Sequence, residues 1–145
     1  MADKGRPTTI TLEVIDRICE RIMQGESLNK ICKDDDMPSA VTFFSWLKKA
    51  EDGVDEFDLL NKYTRARECQ ADYYADEIKE VSELPVENAV QLGQLRLRVE
   101  ALKWTASKLK PKKYGDKTEV DHKSSDGTMQ PQVIQLVGKD GNSQD

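Results

Sequence analysis

The side chains that could do covalent or metal chemistry are few and poorly spaced for it. Cys19, Cys32 and Cys69 are the three cysteines. They form no C-x-x-C pair, so they suit neither a disulfide framework nor a zinc site, which needs a fourth ligand. His122 is the single histidine, which leaves a histidine-based triad or a His-rich metal site without material. Neither a G-x-x-x-x-G-K-[ST] loop nor a G-x-G-x-x-G turn occurs, so a phosphate cradle for a nucleotide is missing. These residues predict a protein that is not an enzyme and needs no cofactor. What remains is the chemistry of contact: lysines that can meet phosphate, and apolar stripes that can meet another surface.

Composition narrows the partners. The chain has 145 residues, a net charge of −5, 37% apolar residues and 34% charged ones. That balance is low in apolar content for a compact monomer and typical of long helices. A uniformly basic DNA coat is excluded. No apolar run approaches about 18 residues, so no membrane helix is expected. Met1 to Pro7 lacks an apolar signal core, which predicts a cytoplasmic chain. Charge alternates along the sequence. Residues 1–50 carry 8 basic and 8 acidic groups, and residues 51–84 carry 4 and 11. Residues 85–117 carry 8 and 3, and residues 118–145 carry 2 and 5. Such alternation predicts separate surfaces with separate partners.

The elements that must position these groups are mainly α-helical. A first helix is expected from about Leu12 to Gln24, capped by Thr11 and ended by Gly25. Its inward spacing is Leu12, Ile15, Ile18, Cys19, Ile22 and Met23. Ser27 caps a short second helix with Leu28, Ile31 and Cys32 inward. Ser39 caps a third, about Ala40 to Ala50, with Phe43, Trp46 and Leu47 on one face. Asp52-Gly53 breaks the chain. A fourth helix is expected over about Asp55 to Glu83, with Phe57, Leu60, Thr64, Arg67, Ala71, Tyr74, Ile78 and Val81 in register. A fifth, about Val86 to Leu109, carries Leu92, Leu95, Val99, Leu102, Ala106 and Leu109, and Pro111 ends it. The period then changes. Thr118–Lys123 and Gln132–Val137 read as two short strands around Ser124–Gly127 turn material. The domains expected are a helix-turn-helix unit (1–53), oligomerisation helices (54–115), a C-terminal β segment (116–138) and a disordered tail (139–145).

Three constellations carry function on this reading. Three short helices with a tight turn before the third match a helix-turn-helix, whose third helix enters the major groove. A plain three-helix core with solvated lysines matches equally well. The outward residues of the third helix would be Ala40, Thr42, Phe44, Ser45, Lys48 and Lys49, with Lys30 and Lys33 nearby. None is Arg, Asn or Gln, the bidentate base readers, so phosphate contacts with weak sequence preference are expected. Asp34, Asp35 and Asp36 beside them would repel phosphate. The second constellation is a further stripe on the fifth helix: Val90, Leu97, Ala101 and Trp104. Either the N-terminal helices cover it, or a neighbouring copy does, with Leu97, Ala101 and Trp104 as interface residues. The third is Lys108, Lys110, Lys112, Lys113 and Lys117, which suit either the negative helix end or a nucleic acid. The strand pair would be unstable alone, and hairpins from successive subunits could close an intersubunit β-barrel. A tail whose Val133–Val137 run docks on a partner is the other reading.

Several stretches resemble the small terminase subunit of tailed bacteriophages, of the type found in short-tailed enteric phages. They are Gly5-Arg6-Pro7, then Gly25-Glu26-Ser27-Leu28, Ile31-Cys32-Lys33, Met37-Pro38-Ser39 and Trp46-Leu47. Arg96-Leu97-Arg98-Val99, Lys103-Trp104, Pro111–Lys117 and Leu136–Gly141 complete the set. The resemblance implies a homo-oligomeric ring of about 8–10 subunits, assembled by the paired central helices. It implies peripheral helix-turn-helix domains that bind the packaging-initiation region of double-stranded viral DNA. It also implies recruitment of the large terminase subunit, the ATPase and nuclease, through the C-terminal region, in the cytoplasm of the infected host and without a membrane. Members often carry an aromatic–arginine pair where this chain has Phe44-Ser45. DNA contact is therefore carried over to Lys33, Lys48 and Lys49, with Lys30 and Thr42 beside them. A helix-turn-helix transcriptional regulator is the alternative, expected as a dimer on a palindrome, and a pure interaction scaffold is a third reading.

Overall fold

The computed structural model describes residues 5–117. These residues form six helices: α1 (Leu12–Met23), α2 (Leu28–Ile31), α3 (Ala40–Glu51), α4 (Leu59–Ser82), α5 (Ala89–Leu109) and α6 (Pro111–Tyr114). The segments read as strands, and the tail beyond them, lie outside the described residues.

Side-chain caps set the starts of α1, α2, α3 and α5. Thr11, Ser27, Ser39 and Asn88 each accept a backbone N–H three residues on, satisfying donors that the first turn leaves open. Gly25 ends α1 at a φ of 90°. There Gly25 N–H donates to Ile22 O at 2.9 Å and Glu26 N–H to Arg21 O at 3.1 Å. That is the Schellman pairing, and Gly53 repeats it after α3. Arg21 then grips Glu26 with two hydrogen bonds of 3.0 and 2.8 Å, so the turn is closed by charge as well as by backbone.

Ile15, Ile18, Ile22, Ile31, Met37 and Phe43 are fully buried in one core. The ring of Phe43 lies edge-on to Trp46 at 6.3 Å and to Tyr63 at 5.5 Å, an arrangement that adds to its area burial. The core does not close at Gly53. Leu59 and Ala66 of α4 belong to it, so the first half of α4 is the fourth wall of the N-terminal unit.

Two helices begin later than expected. Asp55, read as the start of α4, instead lies ahead of it: its carboxylate accepts the N–H groups of Leu59 at 2.6 Å and Leu60 at 3.1 Å. A short acidic side chain competes for these donors and holds the preceding residues out of the helix. The fifth helix begins at Ala89 rather than Val86, because Asn88 takes the capping position. The single stripe expected along α4 is also split. Its first half buries Leu59, Ala66 and Gln70 against α1–α3, and Thr64 is exposed. Its second half buries Ala71 and Val81 along α5. One helix with two partners on different sides cannot keep one buried register.

Lys110, the residue before Pro111, leaves the helical conformation, with φ −138° and ψ 68°, as proline disfavours the α region in the residue before it. Pro111 then opens α6 rather than merely ending α5. This last turn is tied back to the middle of α4. Asp72 accepts hydrogen bonds from Tyr114 Oη at 2.6 Å, Lys110 Nζ at 2.9 Å and Lys113 Nζ at 3.0 Å. These three donors hold the Asp72 carboxyl well below the usual carboxylate range.

Two outcomes follow. A Cβ at residue 25 would stand 2.3 Å from the Tyr73 ring, at a φ that favours glycine. Gly25→Ala should therefore lower unfolding free energy by about 1–3 kcal/mol in urea denaturation, as backbone strain of this kind does. Asp72 contributes stability above the unfolded-chain carboxyl value of about 3.9 and loses it as pH falls toward the depressed folded value. The gap in Tm between the native chain and Asp72→Asn should thus shrink as pH is lowered from about 6 to below about 4. A gap independent of pH would show that the clamp does not work through the carboxylate charge.

Candidate functional site

The exposed surface of α2, α3 and the loop between them holds the basic groups selected from sequence. Lys30 is exposed, with Glu26 at 3.9 Å. Lys33 follows α2 and is exposed. Lys48 and Lys49 are exposed in the last turn of α3. Thr42 is different. It is half-buried, and its hydroxyl lies 2.9 Å from Ser39 Oγ, so it is occupied by the helix start. Lys48 and Lys49 stand roughly 9–10 Å along the axis from Thr42, at 1.5 Å per residue. The set therefore splits into Lys30 and Lys33 around α2, Thr42 within the α3 cap, and Lys48 and Lys49 at the far end of α3.

The aspartates beside this surface do not act as three free negative charges. Asp36 accepts Arg17 at 2.6 Å, and Asp34 accepts Arg21 at 2.5 Å. The Arg17 guanidinium holds the Asp36 carboxyl below its ordinary range. Two of the three are thus paired with cations from α1, which the local sequence did not show. Arg6 reaches across the same loop. Its guanidinium donates to Cys32 O at 3.0 Å and Lys33 O at 3.4 Å, fastening the N-terminal arm to the end of α2.

The outer face of α3 differs from the expected set at Ala40 and Thr42, both partly buried, and at Val41. Ala40 packs partly against the core, whereas Val41 is 80% exposed. Val41, Phe44, Ser45 and Lys48 share the solvent side at helical 3–4 spacing. Sequence reading missed Val41, although its distance from Phe44 and Lys48 was the available signal.

The second stripe on α5 is bare. Leu97 is 73% exposed and Trp104 is 64% exposed, and Ala101 between them is exposed too. Helices α1 and α3 pack on α4, not on this stripe, so the expectation that N-terminal helices might cover it does not hold. Beside it Lys108 Nζ lies 5.7 Å from the centre of the Trp104 ring, a favourable cation–π contact. The lysine cluster after α5 is partly spent. Lys110 and Lys113 are on Asp72, whereas Lys112 and Lys117 are exposed without an ion pair among the described residues.

Groups for chemistry are not assembled here. Among the described residues no three His, Cys, Asp or Glu side chains are placed to hold a metal ion. Burial pushes the Cys19 thiol up to about 11, with Asp16 adding to the effect, and burial raises Cys32 as well. Neither thiol supplies a thiolate near neutral pH. No described helix is long and apolar enough to cross a membrane.

Known proteins share this arrangement. The family profile described as "Bacteriophage Sf6, terminase small subunit-like" matches residues 10–121. Crystal structures of the terminase small subunit gp1 of the bacterial virus Sf6 are similar to the whole chain. An arginine-to-alanine variant is 37% identical, with a TM-score of 0.66 over 93% of this chain and 94% of that one. An aspartate-to-arginine variant is 34% identical, with a TM-score of 0.68 over 91% of this chain and 100% of that one. A lysine-to-glutamate variant is 34% identical, with a TM-score of 0.69 and the same coverage, 91% and 100%. No curated protein sequence matches. The profile spans most of the chain and agrees with the structures, and the chain belongs to the bacteriophage Sf6 terminase small subunit-like family.

Proposed function

We propose that this chain is the DNA-recognition adaptor of a phage packaging motor, working without enzymatic activity or cofactor in the cytoplasm of the infected host. Helices α1–α3 act as a helix-turn-helix unit. Lys33, Lys48 and Lys49, with Lys30 at the margin, meet phosphates of double-stranded viral DNA. Thr42 serves this surface by holding the start of α3. Copies of the chain assemble as a ring of about 8–10 subunits through head-to-tail contacts. The segment 116–138 supplies strands to an intersubunit barrel, and the C-terminal region recruits the large terminase subunit.

The observation that carries this reading is the bare stripe on α5. A helix whose inner face already packs on α4 has no use for Leu97, Ala101 and Trp104 in a monomer. Exposed aromatic side chains of this kind are typical anchors of an interface. The acidic residues 51–84 and basic residues 85–117 are complementary, so acidic α4 of one copy can face basic α5 of the next. A ring also explains how weak binding per copy suffices, because linked sites raise the effective concentration of one another.

Native mass spectrometry of the full chain should show a closed homo-oligomer. Trp104→Ala with Leu97→Ala should convert it largely to smaller species, consistent with a loss of about 2 kcal/mol or more at an anchor residue. A native chain that stays dimeric, and binds a palindromic duplex, would favour the transcriptional-regulator reading instead. Replacing Lys33, Lys48 and Lys49 with Ala should weaken binding to a viral DNA fragment and flatten its salt dependence. The slope of log K against log salt should fall by about one unit for each lysine that meets a phosphate. Unchanged affinity and slope would place the DNA surface elsewhere on the chain.

A further inference from the structure

We propose that Val41 and Phe44 are the base-reading residues of α3, and that they recognise the 5-methyl group of thymine in the major groove of duplex DNA. This rests on the reading of α3 as the groove helix given above. Val41 is 80% exposed and Phe44 is 52% exposed. They sit three residues apart on one face, with Ser45 and Lys48 continuing it. Val41 stands almost wholly in solvent, and about half of Phe44 is open to it.

The chemistry of α3 leaves few other ways to read a base. Its sequence, AVTFFSWLKKAE, has no Arg, Asn or Gln, so the forked contacts those side chains make to guanine and adenine are absent, and the guanine-reading option left to it, Lys48 and Lys49, lies in its last turn. The Thr42 hydroxyl is engaged with Ser39. The Ser45 hydroxyl can bond to several bases and discriminates weakly. An apolar side chain discriminates by a different route: in the major groove thymine alone carries a methyl group, and Phe and other apolar groups make contact with it. Phe44 is suited to hold such a contact. Its ring meets that of Phe43 edge-on at 6.5 Å, and Phe43 is itself locked in the core between Trp46 and Tyr63.

Charge decides for DNA over an apolar protein surface as the occupant. The same face continues into Lys48, with Lys49 beside it and Lys30 and Lys33 on the preceding element, all exposed. An apolar protein groove would have to desolvate Lys48 at the edge of the contact, whereas a DNA groove places phosphates there.

The test leaves the protein intact and changes one methyl group at a time. Affinity of the full native chain is compared on an A·T-rich duplex, on the same duplex with deoxyuridine for every thymidine, and on a G·C duplex with and without 5-methylcytosine. We expect the uracil duplex to bind more weakly, by about fourfold for each methyl group contacted, the effect of one buried carbon. Methylation of cytosine should raise affinity for the G·C duplex. Val41→Ser with Phe44→Ser should bind the thymine and uracil duplexes alike, while keeping the native salt slope. Equal affinity of the native chain for thymine and uracil duplexes overturns the methyl reading and leaves the DNA reading standing. No binding to any duplex overturns both. If the double variant keeps its thymine preference but loses assembly mass, the face is a protein interface and the proposal fails.

Discussion

One turn of α4, residues 70–74, holds the rest of the structure in register. Gln70 is fully buried. Its amide donates to Glu26 O at 2.8 Å, and its oxygen accepts Arg67 at 2.7 Å. Tyr74 donates to Gly25 O at 3.1 Å, and the Tyr73 ring lies where a Cβ on Gly25 would have to go. Asp72, between them, receives Lys110, Lys113 and Tyr114 from the end of the chain. A single turn thus fixes the α1–α2 turn on one side and α6 on the other. A buried amide with both ends satisfied also specifies orientation, because any other placement leaves a polar group unpaired away from water. The candidate DNA surface and the bare face of α5 are therefore carried by one continuous rod.

The rod creates an imbalance that the monomer does not resolve. Helix α5 has apolar residues on both sides, and α4 covers one of them. Ala106 is its one fully enclosed residue, whereas Leu97 and Trp104 face solvent. Covering that face with another apolar surface would be favourable in proportion to the area removed from water, which is why the proposed assembly is placed there. The low apolar content of the chain fits this arrangement: part of its apolar surface, Leu97 and Trp104 above all, stays outside the core of the single chain.

Electrostatics follow the same pattern of distant pairing. In sequence the acidic run Asp34–Asp36 reads as hostile to phosphate, yet Arg17 and Arg21 of α1 occupy two of its three members. In sequence the basic run after α5 suits a nucleic acid as well as a helix end, yet two of its lysines are held by Asp72. Each run is partly neutralised by residues far away in the chain. Exposed cations with no ion pair among the described residues include Lys33 after α2, Lys48 and Lys49 at the end of α3, and Lys112 and Lys117.

The sequence by itself determined α1–α3 and their caps. Thr11, Ser27, Ser39 and Gly25 act on neighbours three or four residues away, so local spacing is enough to read them, and the core face of α1 and α3 follows from the same period, except that Leu12 and Met23, read as inward, stand exposed at the two ends of α1. It also determined the second stripe of α5, because periodicity counts apolar residues wherever they point. Tertiary structure decided what those local rules cannot reach. It split the buried face of α4 between two partners, and it made Asp55 a cap instead of a first turn. It turned Val41 outward in place of Ala40, and drew Thr42 into the cap of α3. It also showed the α5 stripe to be bare, and chose which charges remain free. The Asp55 and Thr42 contacts are local ones that periodicity does not register, whereas the others depend on which elements pack together, as Gln70 does on Glu26 and Tyr114 on Asp72. Helical spacing carries information over one or two turns, whereas burial and ion pairing depend on which elements the chain brings together.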